Sequence, residues 1–167
     1  MNEIEKLVKR AEYLRENDLI TDAEELVIVA LEEHEDSWQL WSELGHIRYR
    51  KQDFKYAAKA FLTATNLEPE AFWPWLNLGT AQRAVGDYDG AIEATENALR
   101  VESNEKELYL AYYNLARYNA LMGRIEEAMD LLKMALENDE SLRKCAREDS
   151  DLDSLRKEPG FEFLAKS

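Results

Sequence analysis

Large apolar residues recur three and four positions apart along most of the chain, the spacing that gathers them on one face of a helix. Trp41, Leu44 and Ile47 make one such stripe, and Phe54, Ala57, Phe61 and Ala64 make the next. Small residues recur at a longer period. Ala11, Gly45, Gly79 and Ala116 are 34, 34 and 37 residues apart. Ala23, Ala57, Ala91 and Ala128 keep the same gaps, as do Ala30, Ala64, Ala98 and Ala135. Ala and Gly together supply only 26 of the 167 residues, so twelve small residues in twelve slots are not chance. The pattern predicts paired helices over 3–17 and 21–34, 37–50 and 54–66, 71–84 and 88–101, and 105–122 and 125–138. A small residue lets two antiparallel helices approach, and a large neighbour fills the space above it. No pair buries its apolar face alone, so the pairs must stack. Three extra residues near Lys106 to Leu108 are expected to lengthen the first helix of the fourth pair. Pro74 falls in a first helical turn, and Gly86 and Gly123 fall just past helix ends.

Beyond residue 140 the period stops. Leu142, Cys145 and Ala146 suggest a short helix, and Leu152, Leu155, Phe161, Phe163 and Leu164 a second apolar pattern with Ser150 or Asp151 as its cap. This tail is expected to cover the last open face of the stack.

The residues Trp41-x-x-Leu44-Gly45, Trp75-x-x-Leu78-Gly79 and Tyr112-x-x-Leu115-Ala116 resemble the tetratricopeptide repeat (TPR) family. Phe54, Tyr88 and Ile125 follow at the matching place in each unit. Pro69 closes its unit as that family expects, while Ser103 and Glu140 stand where the next prolines would be. The first unit departs most, with Leu7, Arg10 and Ala11 in place of Trp, Leu and Gly. The resemblance implies an all-α fold: a right-handed superhelical solenoid of antiparallel helix pairs with a C-terminal capping segment. It divides residues 1–167, a single domain, into repeats 4–37, 38–71, 72–105 and 109–142 and a cap 143–167.

In such an array the first helix of each pair lines the inner, concave face. Counting from its small residue, the inner face of the second unit presents Ser42 and His46. The third presents Trp73, Leu76, Asn77, Thr80 and Arg83, and the fourth Tyr113, Asn114 and Arg117. Aromatics and Arg anchor partners by area and charge. Asn reads a backbone amide from both sides, and Arg can grip a carboxylate with two N–H groups. The resemblance places peptide-contacting amides at Asn77 and Asn114. Trp38, Trp41, Phe72 and Trp75 are expected in the core. Trp73 either lines the inner face or folds back onto Pro69, and Tyr113 is equally open between core and groove. The slots that grip a heat-shock chaperone tail in this family read Ser42, His46, Asn77, Leu110 and Asn114 in units two to four, and such a tail is not expected as the ligand.

Composition narrows the function. With 35 Asp and Glu against 21 Lys and Arg, the formal net charge is −14. More than half of it, −8, lies within residues 1–37. This disfavours nucleic-acid phosphate and anionic membrane surfaces. The six Gly and three Pro are too few for a hairpin-rich β domain. MNEIEKLVKR is no signal peptide, and the lone Cys145 gives no disulfide framework, so a cytoplasmic setting is expected. His34, among Glu32, Glu33, Glu35 and Asp36, reads as a solvated turn, not a metal cluster. No phosphate loop, nucleophile motif or zinc spacing is present. Neither cofactor nor enzyme activity is expected. The expected role is a monomeric protein-interaction scaffold holding a partner peptide or helix, with basic or apolar segments, in the concave groove. The alternative is a small acidic chaperone of the type III secretion class II kind, which the stretch Leu78 to Gly86 resembles.

Overall fold

The computed structural model describes residues 1–138 and 141–166, apart from the side chain of Asn138. All regular structure among them is helical. Eight helices form four consecutive antiparallel pairs: α1 (Glu3–Glu16) with α2 (Ile20–Glu33), α3 (Trp38–Arg50) with α4 (Phe54–Leu67), α5 (Phe72–Ala84) with α6 (Tyr88–Arg100), and α7 (Glu105–Leu121) with α8 (Ile125–Asn138). Three short pieces follow: α9 (Ser141–Glu148), a 3₁₀ segment (Ser150–Lys157) and α10 (Phe161–Ala165). Glu140, expected in place of a closing proline, and Ser167, the expected end of the cap, lie outside the described residues.

All twelve small residues of the repeating slots are buried. At Gly45 the reason is explicit: a Cβ there would meet the Phe61 ring at 2.6 Å. At Gly79 it would meet Thr95 Oγ1 at 2.6 Å and the Ala91 carbonyl at 2.9 Å. Gly86 and Gly123 end their helices at φ +81° and +74°, the left-handed conformation that costs glycine least. The first two pairs turn without glycine, using Asp18 (φ 65°) and Gln52 (φ 61°).

Asn2 and Asn104 each accept from the backbone N–H three residues on, while Glu5 and Glu107 reach back to the cap N–H. These reciprocal boxes satisfy two orphan donors at the start of α1 and α7. The second one fixes the start of α7, which runs 17 residues where α3 and α5 run 13. The tail cap differs from expectation. Asp149, not Ser150 or Asp151, caps the 3₁₀ segment, its carboxylate accepting from the Asp151 N–H at 3.0 Å.

The tryptophans also differ. Phe72 is buried, but Trp38, Trp41 and Trp75 are half-buried. Each of the latter two keeps its indole N–H at the edge, donating to the carbonyl six residues earlier, Glu35 and Pro69, both at 2.8 Å. A ring with a polar tip settles where one end is packed and the other meets a carbonyl. These bonds pin the turn that leads into each helix pair.

The core is divided along the stack. At one end Ala11, Val27, Ala30, Leu40 and Ile47 pack together. At the other, Leu152, Leu155 and Phe161 of the tail join Ala116, Leu132 and Leu136. No described helix is long and apolar enough to cross a membrane.

Candidate functional site

The inner-face residues of successive pairs meet one another. Arg15 on α1 grips Glu43 on α3, Nε to Oε1 at 2.7 Å and Nη2 to Oε2 at 3.3 Å. Glu43 is 2% exposed, and burial pushes its carboxyl up, an effect Arg15 only partly offsets. His46, one turn along α3, packs edge-on against Phe61 with ring centroids 5.1 Å apart. Burial, with the nearby Arg15 charge, lowers its pKa to about 4. It is therefore neutral at pH 7, and with its proton on Nδ1 it accepts the Asn77 side-chain amide at Nε2, 3.3 Å away. The α5 hydroxyl of Thr80 turns back to the Leu76 carbonyl at 3.1 Å.

The fourth pair carries the densest cluster. Arg117 on α7 lies between Asn114 Oδ1 (3.1 Å), Asp149 Oδ2 (2.9 Å) and Asp151 Oδ2 (2.8 Å). Arg83 on α5 pairs with the other oxygen of Asp151. The Tyr113 hydroxyl donates to Asp149 Oδ2 at 3.0 Å. Burial and the Asp149 charge push that phenol well above the ordinary tyrosine range. Asp151 is 6% exposed, so its carboxylate is held by two guanidiniums with little water. Buried ions need this kind of pairing to repay desolvation.

The 3₁₀ segment is thus laid on the inner face of the fourth pair. Leu152 and Leu155 are fully buried beneath it, each contributing about 2 kcal/mol by removing apolar area from water. Ser154 Oγ donates to the Ala120 carbonyl at the end of α7, at 3.2 Å.

The ten residues expected along an open groove therefore divide. Arg83, Tyr113 and Arg117 converge on the chain's own Asp149 and Asp151, with Asn114 bonded to Arg117 beside them. Leu76 is buried with Phe72, Ala98 and Ala111, away from any groove floor. Ser42 is 9% exposed. His46 and Asn77 bond each other, with Thr80 one turn beyond. Trp73 is 48% exposed, its ring edge-on to Phe72, and faces the cap Asn104, Lys106, Glu107 and Leu110 of α7 and Leu142 of α9 across a shallow depression. The Pro69 carbonyl is taken by the Trp75 indole. Counting from the small residue also puts Arg15 and Glu43 on the inner face, but sequence reasoning missed Asp149 and Asp151 as site members. The signal in the tail was a pair of acids just ahead of two apolar steps, Asp149-x-Asp151-Leu152-x-x-Leu155.

Stacked helix pairs with this inner-face ladder define a helical-repeat array. A tetratricopeptide repeat model matches residues 70–141, so this stretch of the chain carries tetratricopeptide repeats. The structure is similar to that of MamA, with a TM-score of 0.73 at 24% identity over 86% of this chain and 82% of that one. It is also similar to YrrB, described as "a TPR protein with an unusual peptide-binding site", with a TM-score of 0.70 at 18% identity over 95% and 88%. Among curated proteins, the human protein O-mannosyl-transferase TMTC3 is 26% identical over 125 residues, and its mouse counterpart 28%. That match covers 66% of this chain, which spans only 13% of the length of those relatives.

Proposed function

We propose that this chain is a non-enzymatic protein-interaction module that holds a partner peptide or helix along the inner face of its helix pairs. One observation carries the reading: that face already holds a peptide segment, residues 149–155, through side chains of α5 and α7. The fold's chemistry is therefore suited to gripping a chain by carboxylate, amide and apolar contacts at once. The peptide-binding description of YrrB points the same way. The partner-facing set comprises Ser42, His46, Trp73, Asn77 and Thr80, continuing to Arg83, Tyr113, Asn114 and Arg117. Of these, Trp73 is exposed and His46, Asn77, Thr80, Arg83 and Arg117 are half-buried in the present arrangement, and Trp73 supplies the aromatic anchor that interfaces favour.

The test is site-specific photo-crosslinking in the source cells, with the reactive residue placed at Thr80 on the inner face or at Ile28 on the outer face. A partner captured from Thr80, not from Ile28, and lost on Asn77→Arg supports the reading. Equal capture from both positions, or capture indifferent to Asn77→Arg, overturns it.

A further inference from the structure

The inner face of the third and fourth helix pairs is filled by a segment that belongs to neither. Asp151 sits between Arg83 and Arg117. Its neighbour Leu152 and the next turn's Leu155 descend into the core formed by Ala116, Leu132 and Leu136. Were this segment to leave, two guanidiniums would face each other with no anion between them, and an apolar slot would open beside them. Such a vacancy selects its next occupant by charge and spacing. It accepts an acid followed directly by a large apolar residue, with a second apolar residue three positions on.

We propose that this face is a docking site for an acidic segment of the Asp-Leu-x-x-Leu kind on a partner protein, and that residues 149–155 are its resident ligand, which the partner must displace. The proposal rests on the reading of the inner face as a partner surface and names the ligand chemistry for one part of it. It also revises the expectation of a basic partner, because the local charge around the slot is positive although the whole chain carries −14. Tethering gives the resident segment a high effective concentration, so an external ligand competes poorly until the tether's own contacts weaken.

The experiment uses the full chain and a fluorescently labelled peptide copied from residues 148–157, with binding read by anisotropy. Four proteins are compared: wild type; Asp149→Asn/Asp151→Asn, which discharges the resident ligand; Asp151→Lys, which sets a third cation against Arg83 and Arg117 and expels it; and Asp151→Lys combined with Arg83→Gln and Arg117→Gln. Far-UV circular dichroism checks that each is helical. The expected result is peptide binding at least about tenfold tighter to Asp151→Lys or to the Asn pair than to wild type. Binding is lost with the two Arg substitutions, and lost for a peptide whose acids are replaced by Asn. In wild type, saturating peptide accelerates hydrogen exchange at Leu152 and Leu155. Binding no tighter in either ligand-release variant, or binding that survives loss of both arginines, overturns the proposal. If this test fails while crosslinking from Thr80 remains sensitive to Asn77→Arg, the acidic site is refuted and the inner-face reading stands. If both fail, the reading falls with it.

Discussion

Gly45 and Phe61 are a matched pair, and the match predicts a substitution that runs against helix propensity. In an exposed helix interior, Gly→Ala stabilises by about 1 kcal/mol. Here the new Cβ would sit 2.6 to 2.7 Å from three atoms of the Phe61 ring, which is itself 1% exposed and has nowhere to retreat. Overpacking of this kind costs about 1–3 kcal/mol. Gly45→Ala is therefore expected to destabilise by a net of up to about 2 kcal/mol, or up to roughly 6 °C in midpoint for a chain of this size. The same geometry specifies the cure. The residue 16 positions after the small one is Phe61 in the second unit, but Val27, Thr95 and Leu132 elsewhere. Where it is Val27 or Leu132, the small residue is already Ala, at Ala11 and Ala116. Phe61→Leu in the Gly45→Ala background should recover stability, giving a favourable coupling of about 1 kcal/mol in a double-mutant cycle. Urea denaturation followed by far-UV circular dichroism measures all four corners. A stabilised Gly45→Ala, or a cycle with no coupling, would show that the contact does not set the residue at this slot.

Three further outcomes follow from the inner face. Arg15→Met strands Glu43 at 2% exposure, and an unpaired buried charge costs about 3 kcal/mol or more; Arg15→Met/Glu43→Leu should recover most of that loss in the same urea assay. His46 has a folded pKa of about 4 against an ordinary 6.5, so the unfolded chain binds the extra proton first. Its contribution is intact above about pH 6.5 and is lost progressively as pH falls toward 4; His46→Gln should flatten that part of the stability–pH curve, and the NMR shifts assigned to the His46 imidazole should show no titration near 6.5. Tyr113→Phe removes the donor to Asp149 and should cost about 1 kcal/mol, seen as a lower midpoint and faster exchange at residues 150–155.

The helix pairs were legible because their cause is local and repeated. A slot such as Ala57 or Ala91 admits only a small side chain, so each unit restates the rule. Trp75 packs against the core with one edge open and Trp41 is only half-buried; apolar spacing reports the ring and is silent about the indole N–H, which seeks a carbonyl at the edge. The closure of the groove was illegible for a different reason. Arg83 and Asp151 are 68 residues apart, and the tail has no sister copy in the sequence with which to compare it. Asn114 and Arg117 were expected on the inner face, but nothing in one unit's pattern says that the chain's own carboxylate meets Arg117 first.

In an ideal solenoid each unit touches only its neighbours, and such a stack can unzip from either end. The Arg83–Asp151 pair breaks that rule, since it ties the third helix pair to the tail across the whole of the fourth. The fourth pair then cannot peel away without also releasing the tail, so the C-terminal half opens as one cooperative block. The first pair has no such strap and carries the greatest surplus of negative charge. Fraying should therefore begin at residues 1–34, and a pulling force applied to both termini should find the weaker end there.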